Sequence, residues 1–320
     1  MTLAAAKHEE VRGRAIYRGL MWKGVLSIAR LLVPSGGEVM RLRQPGTREQ
    51  RYTRPARRYQ LPVYQRGMPR SLSAEPCLRP TRYCNCRAPE VAALANELGA
   101  FRKSDLEFAE TAFQFAKEKT TLEIRPILPV EETLRMGSGT CFELISVFIA
   151  LCRAAGIRAR YKIFSTNMIQ SWREATIDAD PLLKKWYDSL DNFLFEGEGE
   201  AWVDGRWVVA HVGPTAERQA AAGIPITRFG EDLLGVWFTA RPGTIMHLES
   251  IPAGLGLGSR LLHRISPASM ERVNLSVLRQ IARGREVLRQ AGGLEEYDRK
   301  ARNSVYRAEA AVPVEALSVV

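Results

Sequence analysis

Two short stretches of this 320-residue chain hold side chains whose types and spacing suit nucleophilic and acid–base chemistry. The first is Gly137-Ser138-Gly139-Thr140-Cys141-Phe142-Glu143, which runs into the apolar Leu144-Ile145-Ser146-Val147-Phe148-Ile149-Ala150-Leu151-Cys152. Thr140 and Glu143 have the spacing of a capping box, so a glycine-bracketed turn delivers Cys141 to the first turn of a buried helix. The free N–H groups and positive dipole end of a helix start favour a thiolate there and suit an oxyanion. The second stretch is Phe195-Glu196-Gly197-Glu198-Gly199-Glu200-Ala201-Trp202-Val203-Asp204-Gly205-Arg206-Trp207-Val208-Val209-Ala210-His211. Asp204-Gly205 is a two-residue hairpin signal that sets 203 opposite 206. Counting outward puts Glu198 opposite His211, with Glu196 diagonal to it on the same face. A carboxylate beside an imidazole orients the ring and raises its basicity, so Cys141, His211, Glu198 and Glu196 form the candidate catalytic set. The plainer reading of the hairpin is a solvated Glu–His pair on an exposed strand.

The elements that must position these groups follow from periodicity and punctuation. Pro89 opens an amphipathic helix to Leu98 that Gly99 closes, and Ser104 caps a second over about 105–118. Thr121–Leu128 reads as extended and Val130–Met136 as a short helix before the glycine turn. Gly156 ends the cysteine helix, and residues 157–164 alternate like a strand. Residues 166–190, with Trp172, Trp186 and Tyr187 among charges, suggest one or two helices inserted between strands. Phe229–Leu234 reads as a turn with a short element after it. Pro267 starts a long amphipathic helix that stops at Gly292-Gly293, and a polar helix over about 294–309 follows. Gly254-Leu255-Gly256-Leu257-Gly258-Ser259 follows no buried strand and precedes no G-K-[ST], so it does not read as a phosphate loop. Cys84-Asn85-Cys86 is half of a metal site with no second pair or nearby histidine.

At 46% hydrophobic and 25% charged, the composition is that of a globular protein. The net charge of +11 is concentrated at one end: residues 1–75 hold 15 Lys and Arg against 5 Asp and Glu. Residues 7–33 read as a basic helix stopped by Pro34-Ser35-Gly36-Gly37, with an aperiodic Arg-, Gln-, Pro- and Tyr-rich run after it. A helix for a membrane surface or anionic partner is one reading; a poorly packed extension upstream of Met68 is the plainer one. Five cysteines at low density, with no secretory leader, suggest a reducing, cytoplasmic setting. The longest apolar run near the N-terminus falls far short of the ~20 residues that span a bilayer, so no transmembrane helix is expected. The expected division is a basic, largely irregular extension (1–75), a core (76–250) and a C-terminal helical extension (251–320).

Three of these motifs together resemble the transglutaminase-like superfamily, whose core is papain-like: Gly139-Thr140-Cys141-Phe142-Glu143, Leu151-Cys152-Arg153-Ala154-Ala155-Gly156-Ile157-Arg158-Ala159-Arg160-Tyr161, and the hairpin through Trp202-Val203-Asp204-Gly205-Arg206-Trp207. The resemblance covers roughly residues 76–235. It implies an α+β fold with N-terminal helices, a buried helix carrying the cysteine at its start, and an antiparallel sheet. It also implies a thiolate that attacks an amide or ester carbonyl, giving an acyl-enzyme resolved by water or an amine. The family cysteine falls on Cys141. The family histidine position falls on Glu196, its tryptophan on Glu198, its glutamate on Glu200 and its aspartate on His211. Either the base has moved across the hairpin, so that Cys141 works with His211 while Glu198 or Glu196 orients the ring, or Glu196 intervenes and catalysis is lost. The expected function is thiol-dependent acyl transfer or amide hydrolysis on a peptide-like substrate; the alternative is an inactive domain that binds peptides or proteins. No cofactor or metal is expected. The expected partner is a protein or peptide substrate, with weak anionic-surface binding by residues 1–67 and no specific nucleic acid. His247 and His263 lie outside the recognised core.

Overall fold

A computed structural model describes residues 3–42, 51–168, 170–178, 180–190, 194–232 and 238–310. The chain opens with helix α1 (Leu3–Leu42), followed by α2 (Pro89–Leu98) and α3 (Asp105–Lys119). Gly99 closes α2 in the left-handed region at φ 99°, and the Ser104 side chain caps α3, as their sequence signals require. Strand β1 (Thr121–Leu122) is only two residues long, shorter than the extended run expected there, and pairs in parallel with β2 (Ser138–Gly139). Between them lies α4 (Val130–Met136), and β2 leads directly into α5 (Cys141–Ala154).

Strand β3 (Ala159–Met168) follows, then two inserted helices, α6 (Gln170–Thr176) and α7 (Pro181–Ser189). The hairpin β4 (Leu194–Val203) and β5 (Arg206–Ala210) comes next, then α8 (Ala216–Ala221), β6 (Phe238–Ala240), β7 (Met246–Leu248), α9 (Ala253–Ile265), α10 (Pro267–Ala291) and α11 (Leu294–Ala310). The glycine-rich run 254–259 lies inside α9. The expected element after Phe229 falls partly on 233–237, outside the described residues. The larger sheet has the order β5-β4-β3-β6, with β7 on the same edge of β3 as β6, and every pairing is antiparallel.

Helix α5 forms the centre of this α+β fold, since every residue from Phe142 to Ala154 is buried. The alternation Glu196-Gly197-Glu198-Gly199-Glu200 explains how it gets so close to the sheet. Period two sends the glutamates to one face and the glycines to the other. A Cβ on Gly199 would meet Phe148 Cδ1 at 2.5 Å, and one on Gly197 would meet Phe142 Cε1 at 3.2 Å. On the glutamate face, cross-strand partners are ion pairs: Arg160 with Glu200 at 2.7 Å and Lys162 with Glu198 at 2.9 Å.

Within the first 75 residues, the described segments 3–42 and 51–75 are better packed than their composition suggests. Helix α1 runs through Pro34-Ser35-Gly36-Gly37 instead of stopping there. Proline removes one helical hydrogen bond and can kink a helix without ending it, and each glycine costs only about 1 kcal/mol. Gly13 and Tyr17 are buried on the core side, Gly13 against Leu248 and Met246, and the Tyr17 ring 5.6 Å from that of Phe195. The helix thereby covers the short strand β7. Residues 51–75 have no regular helix or strand, yet Arg54 pairs with Glu123 at 2.8 Å, the Tyr59 hydroxyl donates to Leu134 O at 2.6 Å, and Ser71 N–H donates to Ala154 O at 2.8 Å. These partners are distant in sequence, so no local pattern announces them.

The C-terminal helices are also built into the core. A Cβ on Gly284 of α10 would lie 1.6 Å from the Glu217 carbonyl oxygen, so α8 and α10 meet backbone to backbone there.

Candidate active site

Thr140 precedes α5, and its N–H donates to the Glu143 carboxylate at 2.8 Å. That carboxylate is fully buried and does more than cap. It also pairs with Arg125 at 2.7 Å and accepts from Leu128 N–H and the Thr133 hydroxyl, both at 3.1 Å. One side chain thus ties the glycine turn to α4 and to the segment before it, holding Cys141 at the helix start.

Of the five cysteines, all of them free, Cys141 is half-buried and the others are buried. The thiolate expected from the helix start is not the resting form. Burial and the neighbouring Glu196 carboxylate push the thiol well above its ordinary range, and the Phe142 N–H and Arg218 oppose them without prevailing. Desolvation and an adjacent anion outweigh a helix end.

Glu196 flanks the thiol: both side chains line one cavity, and both come within 4 Å of a Cβ placed on Gly213. The Glu196 Oε1 accepts from Gly197 N–H at 3.1 Å. Burial raises its pKa, opposed by His211, Gly197 N–H, Cys141 and Arg218. Gly213 lies beside the pair: a Cβ there would stand 3.7 Å from Cys141 Cβ and 3.9 Å from Glu196 Oε1, ordinary contact distances.

The β4–β5 ladder runs from Val203 opposite Arg206 to Gly199 opposite Ala210, the register that Asp204-Gly205 implies. One step beyond, His211 Nδ1 lies 2.9 Å from Glu198 Oε1, and both side chains are buried. A carboxylate only accepts, so Nδ1 carries the proton. The other Glu198 oxygen pairs with Lys162 at 2.9 Å, and Lys162 also reaches Asp232 at 2.9 Å. The four candidates therefore fall into two pairs, Cys141 with Glu196 and His211 with Glu198, linked where His211 acts electrostatically on Glu196. His247 belongs elsewhere: its Nδ1 lies 3.0 Å from Glu200, which Arg160 also holds.

Sequence reasoning missed Arg218. This guanidinium, carried by α8, is 1% exposed, and burial lowers its pKa to about 9 against the pull of Glu196 and Cys141. Its Nε donates to Gln280 of α10 at 3.1 Å and one Nη to Gly213 O at 3.3 Å. The available signal is a lone cation in an alanine-rich stretch, Ala216-Glu217-Arg218-Gln219-Ala220-Ala221, and it is weak. Cys141, Glu196 and Arg218 share the wall of a cavity of about 190 Å³. The rest of the wall is mainly apolar and includes Ile124, Leu183 of inserted helix α7, and Met270 and Val273 of α10. Cys84 and Cys86 are buried in the core, and among the described residues no group of three His, Cys, Asp or Glu side chains is placed to hold a metal.

Residues 92–210 match the family model of the transglutaminase-like superfamily. The match includes Cys141, Glu196 and Glu198 and ends just before His211. Comparison with curated proteins returns no match. Among solved structures, a protein of Cytophaga hutchinsonii proposed to be a cysteine protease aligns with 19% identity and a TM-score of 0.32. That alignment covers 43% of this chain and 42% of the other, so the chain spans less than half of that protein, and the likeness is too slight to bear on the site.

Proposed function

Because residues 92–210 carry a transglutaminase-like domain, we propose that the chain performs thiol-dependent acyl transfer or amide hydrolysis on a peptide-like substrate, with Cys141 as nucleophile and Glu196 as its acid–base partner. The observation that supports this most is that Cys141 and Glu196 share the wall of the 190 Å³ cavity, side by side at Gly213. As the sulfur attacks the carbonyl carbon, the thiol proton passes to the Glu196 carboxylate. Collapse of the tetrahedral adduct breaks the C–N bond and returns that proton to the departing amine, leaving a thioester on Cys141. Water or an amine then attacks the thioester while Glu196 takes its proton, and the proton goes back to sulfur as the acyl group leaves. A burial-raised carboxylate suits both halves of this cycle better than an ordinary one. N–H groups at the start of α5 face the oxyanion. Arg218 offsets the Glu196 charge, and Glu198 holds His211 where its ring stabilises that carboxylate. The cavity is comparable with the ~150 Å³ that accommodates a benzene ring, so it suits one apolar side chain of the acyl donor. The acting unit is the 76–250 core, with α10 completing its wall, in a reducing compartment such as the cytoplasm.

A second reading, a non-catalytic peptide-binding module, draws on the thiol being held protonated. The full chain, incubated with ester and peptide-amide substrates, separates the two. Acyl transfer predicts a mass adduct on Cys141, no turnover in Cys141→Ala, and turnover roughly 10²–10⁴-fold slower in Glu196→Gln. Equal turnover by the wild type and Cys141→Ala ends the enzymatic reading. Peptide binding with no adduct in the wild type supports the module.

A further inference from the structure

Helix α1 has two apolar faces, and among the described residues only one of them is occupied. Gly13, Tyr17 and Gly24 are buried, and Ile16, Leu20 and Met21 pack against the core. On the other side, Val11 is 66% exposed, Trp22 66%, Val25 51%, Leu26 41% and Val33 88%. At 100° per residue these five fall within about 100° of arc, centred roughly opposite the core-facing residues. From Val11 to Val33 the stripe is about 33 Å long. Its borders are basic. Arg12, Lys23 and Arg30 run along one side; on the other stands Arg14, paired with Glu10 at 2.6 Å, and Arg18 falls within the arc beside Val11 and Val25, and all five cations are exposed.

We propose that this face of α1 docks on an anionic lipid surface, with the helix lying in the plane of the bilayer interface and its apolar stripe among the acyl chains. Charge complementarity selects this occupant. An apolar stripe flanked by cations matches a leaflet that is apolar below its phosphates and negative at them. A second copy of the chain fits worse, because stripe against stripe brings the basic borders of the two helices together. Nucleic acid would engage the cations but leave Trp22, Val25 and Val33 without apolar contact. Among the described residues no helix is long and apolar enough to cross a membrane, so the contact is peripheral. Docking here places the protein against a surface without using any residue of the Cys141 site.

Co-sedimentation of the full chain with vesicles of phosphatidylcholine containing about 30% phosphatidylglycerol tests this. Binding to these vesicles is expected, with a loss of at least about tenfold on neutral phosphatidylcholine vesicles or on raising salt from 0.05 to about 0.5 M. The triple variant Trp22→Asn, Val25→Asn and Val33→Asn, at exposed positions, should bind at least about tenfold more weakly with an unchanged thermal transition. The variant Arg12→Gln, Lys23→Gln and Arg30→Gln should lose about fivefold per cation. A blue shift of fluorescence on adding anionic vesicles, absent in Trp22→Phe, would place the stripe in the interface. Wild-type vesicle binding no stronger than that of the apolar variant overturns the proposal. So does duplex DNA binding that survives the apolar substitutions in a protein that ignores vesicles, or a dimer that those substitutions dissociate while vesicle binding is absent.

Discussion

The Nδ1 of His211 stands 2.9 Å from Oε1 of Glu198, and the second oxygen of that carboxylate is held by Lys162. The imidazole is thereby anchored across the hairpin, and the acid that meets the thiol is Glu196, one turn of the pleat earlier on the same strand. Burial and the Glu196 carboxylate hold the Cys141 thiol well above its ordinary range.

The thiol of Cys141 should therefore react slowly with iodoacetamide at neutral pH and faster as pH rises above the ~8.5 of an ordinary cysteine. Glu196→Gln removes the adjacent anion and should accelerate alkylation near pH 8 even as it slows acyl transfer. Because the other four cysteines are buried, single alkylation followed by mass spectrometry reports Cys141. Wild-type alkylation at pH 7 faster than that of a free cysteine would contradict the raised thiol.

Arg218 and Glu196 should be coupled in stability. Arg218→Met leaves a buried carboxylate without its cation and should cost roughly 3–5 kcal/mol in urea unfolding. Adding Glu196→Gln should restore part of that loss, because the uncompensated charge disappears with it. Strictly additive single and double variants would show that the two charges do not interact.

Lys117 is buried, with its ammonium donating to Thr227 O at 3.0 Å, and burial lowers its pKa to about 7. The unfolded chain holds this proton up to about 10.4 and the folded one only to about 7, so between these values the unfolded state binds more protons. Stability should therefore rise with pH across that window, by on the order of 4 kcal/mol for this group. The rise should be absent in Lys117→Met. Parallel stability–pH curves for the two proteins, from urea titrations between pH 6 and about 10.5, would refute the shift.

Gly199→Ala puts a methyl group 2.5 Å from Phe148 and should destabilise by roughly 1–3 kcal/mol through overpacking of α5 against β4. Phe148→Leu in the same chain should relieve part of the clash. A Gly199→Ala protein as stable as wild type would mean that helix and sheet are not in close contact.

The most legible parts of the fold were those written in local grammar. Pro89 and Gly99 bound α2, Ser104 caps α3, Pro267 and Gly292 bound α10, and Asp204-Gly205 sets the hairpin register on which the pairing of Glu198 with His211 depends. Each is a short-range steric or hydrogen-bonding constraint that holds in almost any context. The glycines of Glu196-Gly197-Glu198-Gly199-Glu200 were not legible in this way: their role, the close approach of α5, emerges only from the packing, because alternation does not say which element approaches.

Sequence alone determined that Cys141 starts a buried helix and that Glu196, Glu198 and His211 share one hairpin, because caps and pleats are set by neighbours in the chain. The tertiary structure decided what those groups are. Burial and Glu196 keep the thiol protonated, Lys162 and Glu198 hold His211, and α8 and α10 bring Arg218, Met270 and Val273 to the cavity. It also decided that α1 covers β7 while a second apolar face stays exposed. Desolvation and the fields of distant charges depend on what packs around a group, and no spacing along the chain records that.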